Sequence, residues 1–150
     1  MVSITFQPTT EDTILFVGGG EVAERRMQLF IKEPCNIVVI APTVTDRICQ
    51  WAKDNRITWY DRAFTMDDEH HIITSSLFFI CTDNGELNDT LYDMGKKHRV
   101  WTNRSDAPRA CRFTVPSSLE LGDLHIAISA NNVGPRINRL ARQDMMNRYG

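Results

Sequence analysis

The chain has 150 residues, 42% of them hydrophobic and 24% charged, with a formal net charge of -2. That composition belongs to one globular domain with a sizeable core, and it lacks the basic stripe that a nucleic-acid partner would favour. No apolar run nears the roughly 20 residues of a membrane span, and residues 1–13, with Glu11 and Asp12, do not read as a secretory signal.

Apolar β-type runs alternate with helical patterns, which predicts an α/β fold: a Rossmann-like parallel sheet with helices on both faces. Residues 13–17 read as the first strand. The turn Gly18-Gly19-Gly20 follows, then a helix over 21–31 carrying Val22, Met27, Leu29 and Phe30, ended by Pro34. Residues 36–40 form a short buried strand and 41–43 the loop after it. A helix over 45–55 shows Ile48 and Trp51 on one face, and 57–60 is a short strand. The run Asp67-Asp68-Glu69-His70-His71 reads as a solvated turn entering a short helix over 67–73. Its adjacent histidines lack helical ligand spacing, and no metal site is expected. Residues 76–81 form a central strand, 84–98 a helix with Leu87, Leu91 and Met94 in phase, and 99–102 the next strand.

The pattern then changes. Two β-rich segments, 112–119 and 123–129, flank Glu120-Leu121-Gly122, and a basic helix over 135–148 begins at Pro135. Residues 1–111 read as a dinucleotide-binding domain. Residues 112–150 read as an appended strand-and-helix element, too small for its own core, that docks on the first unit or on a second subunit. The cysteines, Cys35, Cys49, Cys81 and Cys111, are evenly spread without a C-x-x-C pair. They read as reduced thiols of a cytoplasmic protein, not as a disulfide framework or a zinc site.

A strand entering a glycine turn and then a helix presents backbone N–H groups to a pyrophosphate. Gly18 would make the tight turn, Gly20 the close phosphate approach and Ala23 the helix–strand contact, in G-x-G-x-x-A form; the plainer reading is a simple turn. The usual acid at the end of the second strand is missing, since the chain there reads Ile40-Ala41-Pro42-Thr43. The ribose is then left to backbone or Thr43, and no cation favours a 2′-phosphate, so NAD is expected over NADP. Residues 103–109 follow a strand end and place Asp106 among cations. They read either as a turn before Pro108 or as a general base or metal-handling carboxylate. Asp83 carries the same ambiguity, with helix capping by Asp83 or Asn84 as the plainer option.

Several longer patterns run through the chain. Val17 to Arg26 reads V-G-G-G-E-V-A-E-R-R, and Cys81-Thr82-Asp83-Asn84 is followed by Asn88. Asn103, Asp106, Pro108, Phe113, Pro116 and Ser117 make N-x-x-D-x-P…F-x-x-P-S, and Gly122 to Ser129 reads G-D-L-H-I-A-I-S. In this order, over almost the whole chain, they resemble the siroheme synthase N-terminal family, the precorrin-2 dehydrogenases. The resemblance implies NAD-dependent oxidation of precorrin-2 to sirohydrochlorin, joined by iron insertion in bifunctional members. It implies that Asp106 is the active-site carboxylate. Gly18, Gly19, Gly20, Glu21, Val22, Ala23, Pro42, Thr43, Thr82 and Asp83 would meet the cofactor, and Asn103, Arg109 and Ser129 the tetrapyrrole. It also implies a homodimer built through residues 112–150. Arg104, Arg109, Arg112, Arg136 and Arg139 read either as a receptive rim for the polycarboxylate substrate or as ordinary surface charge.

Two departures from the family pattern motivate a second reading. Where the family carries glycines and a Ser before Pro, this chain reads Ala130-Asn131-Asn132-Val133-Gly134-Pro135. It also stops at Gly150, short of the family's further helical segment, and has no methyltransferase module, so it is not expected to make precorrin-2 itself. The alternative is a non-catalytic or chelatase-only member that binds tetrapyrrole or metal. A third reading, an NAD-sensing regulatory module, fits the 103–117 pattern less well.

Overall fold

The computed structural model describes residues 1–130 and 135–150, except the side chain of Arg109. It divides into two compact units, Phe6–Phe113 and, separately, Met1–Thr5 with Thr114–Gly150.

The first unit is a five-stranded sheet. Its strands are β1 (Thr13–Val17), β2 (Asn36–Ala41), β3 (Thr58–Asp61), β4 (Leu77–Ile80) and β5 (Trp101–Arg104), in the order β3-β2-β1-β4-β5. Every pairing is parallel. The crossover helices are α1 (Glu21–Met27), α2 (Asp46–Lys53), α3 (Glu69–Ile73) and α4 (Gly85–Lys97). This is the Rossmann-like sheet expected from the alternating pattern. The chain winds outward from β1 through β2 to β3, then returns to place β4 on the other side of β1. The reversal opens a crevice beyond the carboxyl ends of β1 and β4, where such sheets bind ligands.

The central strands are apolar from Ile14 to Val17 in β1 and from Leu77 to Ile80 in β4 because both sheet faces are covered. Leu15, Val17, Ile40, Phe78 and Ile80 pack with Ile72 of α3 and Leu91 and Met94 of α4. Phe16 stacks on Phe79 with ring centroids 5.0 Å apart, and Phe30 and Phe113 close on Phe79 at 5.9 and 5.6 Å.

Some element ends differ from the sequence expectation. The first helix stops at Met27, because Leu29 and Phe30 bond three residues back instead of four. The last strand of the sheet starts two residues late. Arg99 takes a left-handed conformation (φ 57°) and the Val100 N–H returns to the Gly95 carbonyl, so these residues end α4. The strand therefore contains Asn103 and Arg104, which pair with Phe79 and Ile80. Asp68 is also not solvated. It is 1% exposed and receives both Arg62 guanidinium nitrogens at 2.6 Å, while a reciprocal cap joins it to Thr65.

In the second unit β6 (Ser117–Leu121) and β7 (Leu124–Ile128) form an antiparallel hairpin. Gly122 (φ 59°) takes the left-handed position in its turn. Helix α5 (Pro135–Tyr149) lies on the hairpin, with Arg142 Nε donating to the Ser118 carbonyl at 2.9 Å. None of its described residues is buried.

Candidate functional site

The glycine turn is shaped by its neighbours. Gly18 has φ 106°, and a Cβ there would sit 2.5 Å from the Cys81 carbonyl oxygen, against β4 backbone. A Cβ on Gly19 would meet Val44 and the Thr43 carbonyl at 2.5 and 2.7 Å. Gly20 differs, for a Cβ there meets nothing within 4 Å. The first two glycines are thus required by the protein's own packing, whereas the third faces open space. Among the described residues no side chain caps α1, so its first N–H groups keep their capacity for an acceptor.

The loop after β2 joins this turn. Thr45 N donates to the Gly19 carbonyl at 3.0 Å, and Thr45 Oγ1 reaches Glu24 Oε1 at 2.7 Å. Thr45 Oγ1 also accepts from Ile48 N, capping α2. Pro42 and Thr43 stay exposed beside the glycines. Two segments far apart in sequence thereby form one rim.

The opposite rim is made by β4, α4 and β5. Asn84, and not Asp83, caps α4, its Oδ1 accepting from Leu87 N at 3.1 Å. Asp83 is exposed. Asn88, 1% exposed, sits on the inward side of α4 and satisfies its whole amide. Its Nδ2 donates to the Thr82 carbonyl and to Asp106 Oδ2, both at 3.0 Å, and its Oδ1 accepts from the Thr82 hydroxyl. Arg104 grips the same carboxylate from β5, with Nε 2.8 Å from Oδ1 and Nη2 3.0 Å from Oδ2. Its remaining terminal nitrogen reaches Asp89 Oδ1 at 2.7 Å. The segment after β5 is held down by Tyr92, whose hydroxyl donates to the Ala110 carbonyl at 2.7 Å. Cys111 Sγ helps by accepting from Arg104 N at 3.1 Å.

These contacts set the charges. The Arg104 guanidinium, then the Asn88 amide, hold the Asp106 carboxyl at about 2, against the opposing pull of partial burial. Asp106 is therefore a fixed carboxylate at any physiological pH. Arg104 is raised in turn by its bonds to Asp106 and Asp89. Burial pushes the Cys81 thiol up to about 12, so it stays protonated.

A cleft of about 410 Å³ connects the rims, and its walls include Val22 and Arg26 of α1, Thr82, Asn88, Ser105 and Asp106. Of the sequence-derived site residues, Val22, Thr82, Asp83 and Asp106 meet here, with Gly18, Gly19, Gly20, Glu21, Ala23, Pro42 and Thr43 on the glycine side. Asn103 does not face the cleft as a loop residue would. It is a 3% exposed strand residue whose Nδ2 donates to the Phe113 carbonyl at 3.0 Å. The Arg109 side chain and residues 131–134, with the altered loop, lie outside the described residues. Ser129 belongs to the second unit, its Oγ 3.9 Å from Met1 Sδ. Among the described residues no group of three or more His, Cys, Asp or Glu side chains is arranged to hold a metal ion. Nor, among the described residues, is any helix long and apolar enough to cross a membrane.

The sequence places Asn88 in a family pattern without a role and offers Arg104 to a substrate rim, whereas both hold Asp106. A signal existed for the first: an amide in phase with Leu91 on the apolar side of a helix is a buried polar group in need of partners. None existed for the second, because its grip depends on how the chain turns at the end of β5.

Comparison with known proteins gives a consistent placement. "Siroheme synthase" of Pseudoalteromonas atlantica is 31% identical over 140 residues, covering 93% of this chain and 30% of the relative. "Siroheme synthase" of Nitrosococcus oceani is 32% identical over 128 residues, covering 85% of this chain and 27% of the relative. The chain thus spans less than a third of the length of these curated relatives. Among solved structures, "SirC, precorrin-2 dehydrogenase" superposes over 100% of this chain and 72% of its own, with a TM-score of 0.80 at 21% identity, which establishes the shared fold. The family model NAD_binding_7, described as "Putative NAD(P)-binding", matches residues 6–117, which include the whole sheet unit with its glycine turn, and the chain belongs to that family.

Proposed function

We propose that this protein binds NAD at the glycine turn and oxidises precorrin-2 to sirohydrochlorin, with Asp106 as the catalytic carboxylate. The observation that carries the proposal is a carboxylate fixed in its ionised form on the same cleft as α1 and the end of β4. Similarity to proteins named siroheme synthase and precorrin-2 dehydrogenase supports this substrate.

The residues fit the cofactor. Open space at Gly20 leaves room for a phosphate, and the uncapped N–H groups of Glu21, Val22 and Ala23 supply donors. Pro42 and Thr43 would meet the ribose, with Thr82 and Asp83 flanking the crevice. The loop 41–43 has no cation to select a 2′-phosphate, which favours NAD. When bound, the cofactor supplies the hydride acceptor.

Loss of a hydride leaves cationic character on the macrocycle. A fixed carboxylate stabilises that charge without reorganising at the moment of reaction. Asp106 does this because Arg104 and Asn88 hold both its oxygens in place. The proton released with the hydride passes through so weak a base to solvent. Iron insertion, as a second activity, would fall to the same carboxylate. The second unit is assigned to pairing two copies of a cytoplasmic protein, since Ile137 and Leu140 of α5 are 51% and 56% exposed.

The test mixes anaerobically prepared precorrin-2, NAD and the protein, following NADH together with sirohydrochlorin absorbance. Both should rise together, and Asp106→Asn should suppress both. Failure of the wild-type protein to form either product refutes the proposal.

A further inference from the structure

We propose that Arg25 and Arg26 form an anion clamp in the cleft and receive a carboxylate of the substrate. The inference rests on the dehydrogenase reading for the identity of the substrate, and on the cleft itself for the clamp.

Val22, Arg25 and Arg26 stand at i, i+3 and i+4 of α1, so they share one helix face. That face lines the same cleft as Thr82, Asn88 and Asp106. Arg26 is half-buried there and Arg25 is exposed. Among the described residues neither makes a salt bridge or a side-chain hydrogen bond, whereas Arg104 across the cleft is paired with two carboxylates.

Two adjacent guanidiniums on a partly desolvated wall are unfavourable without an anion between them. Burial lowers the proton affinity of Arg26, and the charge of Arg25 lowers it further. The neighbouring group that acts in the other direction is Cys81, whose thiol is protonated at neutral pH and supplies no charge. The cleft also carries Asp83 and Asp106. Arg104 compensates Asp106, and Asp83 is an exposed residue at the mouth. The wall made by α1 therefore keeps an unmet preference for an anionic oxygen group, to which arginine offers paired N–H donors.

Two sources carry that chemistry: a carboxylate of the polycarboxylate substrate and a phosphate of the cofactor. The substrate is favoured because the clamp shares the cleft with Asp106, while the open space at Gly20 lies one turn earlier along the chain.

The experiment compares wild-type protein with Arg25→Gln, Arg26→Gln and Arg26→Lys. Equilibrium titrations with NAD and with sirohydrochlorin run beside steady-state oxidation of precorrin-2. Each glutamine variant should raise KM for precorrin-2 and weaken sirohydrochlorin binding by about tenfold. NAD affinity should stay unchanged, and Arg26→Lys should recover part of the loss. Weakened NAD binding with unchanged sirohydrochlorin binding would give the pair to a cofactor phosphate and overturn the proposal. No change in either titration would overturn it too. Should Arg26→Gln fail to fold, the exposed Arg25→Gln carries the comparison. If the wild-type protein binds sirohydrochlorin but forms no NADH, the oxidation reading fails while the titrations still judge the clamp.

Discussion

Arg104 and Asp106 form a two-pronged ion pair, Nε to Oδ1 at 2.8 Å and Nη2 to Oδ2 at 3.0 Å, across only two residues of chain. The pair holds because Arg104 is the last residue of β5, 13% exposed, and Asp89 fixes its other end. A carboxylate at the cleft is thereby both oriented and kept ionised.

This pairing fixes a pH dependence. The Asp106 carboxyl lies at about 2, below its ordinary 3.8, so the carboxylate persists until the pH falls through the lower value. Arg104→Gln should move it back towards the ordinary range, shifting the acidic limb of the pH–rate profile upward. Near neutral pH the variant should lose about tenfold in rate through disorder of the carboxylate. An unchanged acidic limb in Arg104→Gln would remove the role given to the pair.

Asp106→Asn keeps the shape and deletes the charge. Oxidation should fall by about a hundredfold or more, with little change in thermal stability. Steady-state rates beside a melting curve check it. Full activity in a folded variant would leave Asp106 without its catalytic role.

The glycines of the turn should separate by function. Gly18→Ala forces a side chain into φ 106° against the Cys81 carbonyl and should destabilise the fold by about 2 kcal/mol or more. Gly20→Ala meets nothing in the protein and has φ -82°, so the melting temperature should hold while NAD affinity drops about tenfold or more. Melting curves and NAD titration distinguish the two outcomes.

Much of the sheet was legible in the sequence, and the reason is physical. Strands buried on both faces must be continuously apolar, so Ile14–Val17 and Phe78–Ile80 stand out from any polar setting. The glycine turn was legible because a left-handed residue between a strand and a helix points to glycine. The start of β5 was not, since a non-glycine residue, Arg99, takes the left-handed position that ends α4. Asp68 was misread for a related reason. Its acidic neighbours suggest a solvated turn, and only the fold brings Arg62 onto it. Asn88 and Arg104 belong to the same class, since their roles exist only once α4 and β5 lie side by side.

The Asp68–Arg62 contact gives a stability test. Hydrogen bonding from Arg62 holds the Asp68 carboxyl at about 2, below the ordinary 3.8. Its contribution is therefore present above about pH 4 and lost as the pH falls towards 2. Asp68→Ala removes the ion pair and the reciprocal cap with Thr65, and should lower stability by about 1–2 kcal/mol at pH 7. The gap to wild type should narrow in acid. A constant gap from pH 7 to pH 3 contradicts this assignment.

Pairing of two copies through the second unit is tested by mass. Light scattering at micromolar concentration should give twice the chain mass. Leu140→Glu, on the exposed side of α5, should yield monomers with the sheet unit intact. A wild-type monomer would exclude the assignment.

The most direct measurement remains the anaerobic mixture of precorrin-2, NAD and protein. NADH and sirohydrochlorin should appear in equal amounts with wild-type protein and fall together in Asp106→Asn. NADH no higher than in the protein-free control would contradict the assignment of this cleft to precorrin-2 oxidation.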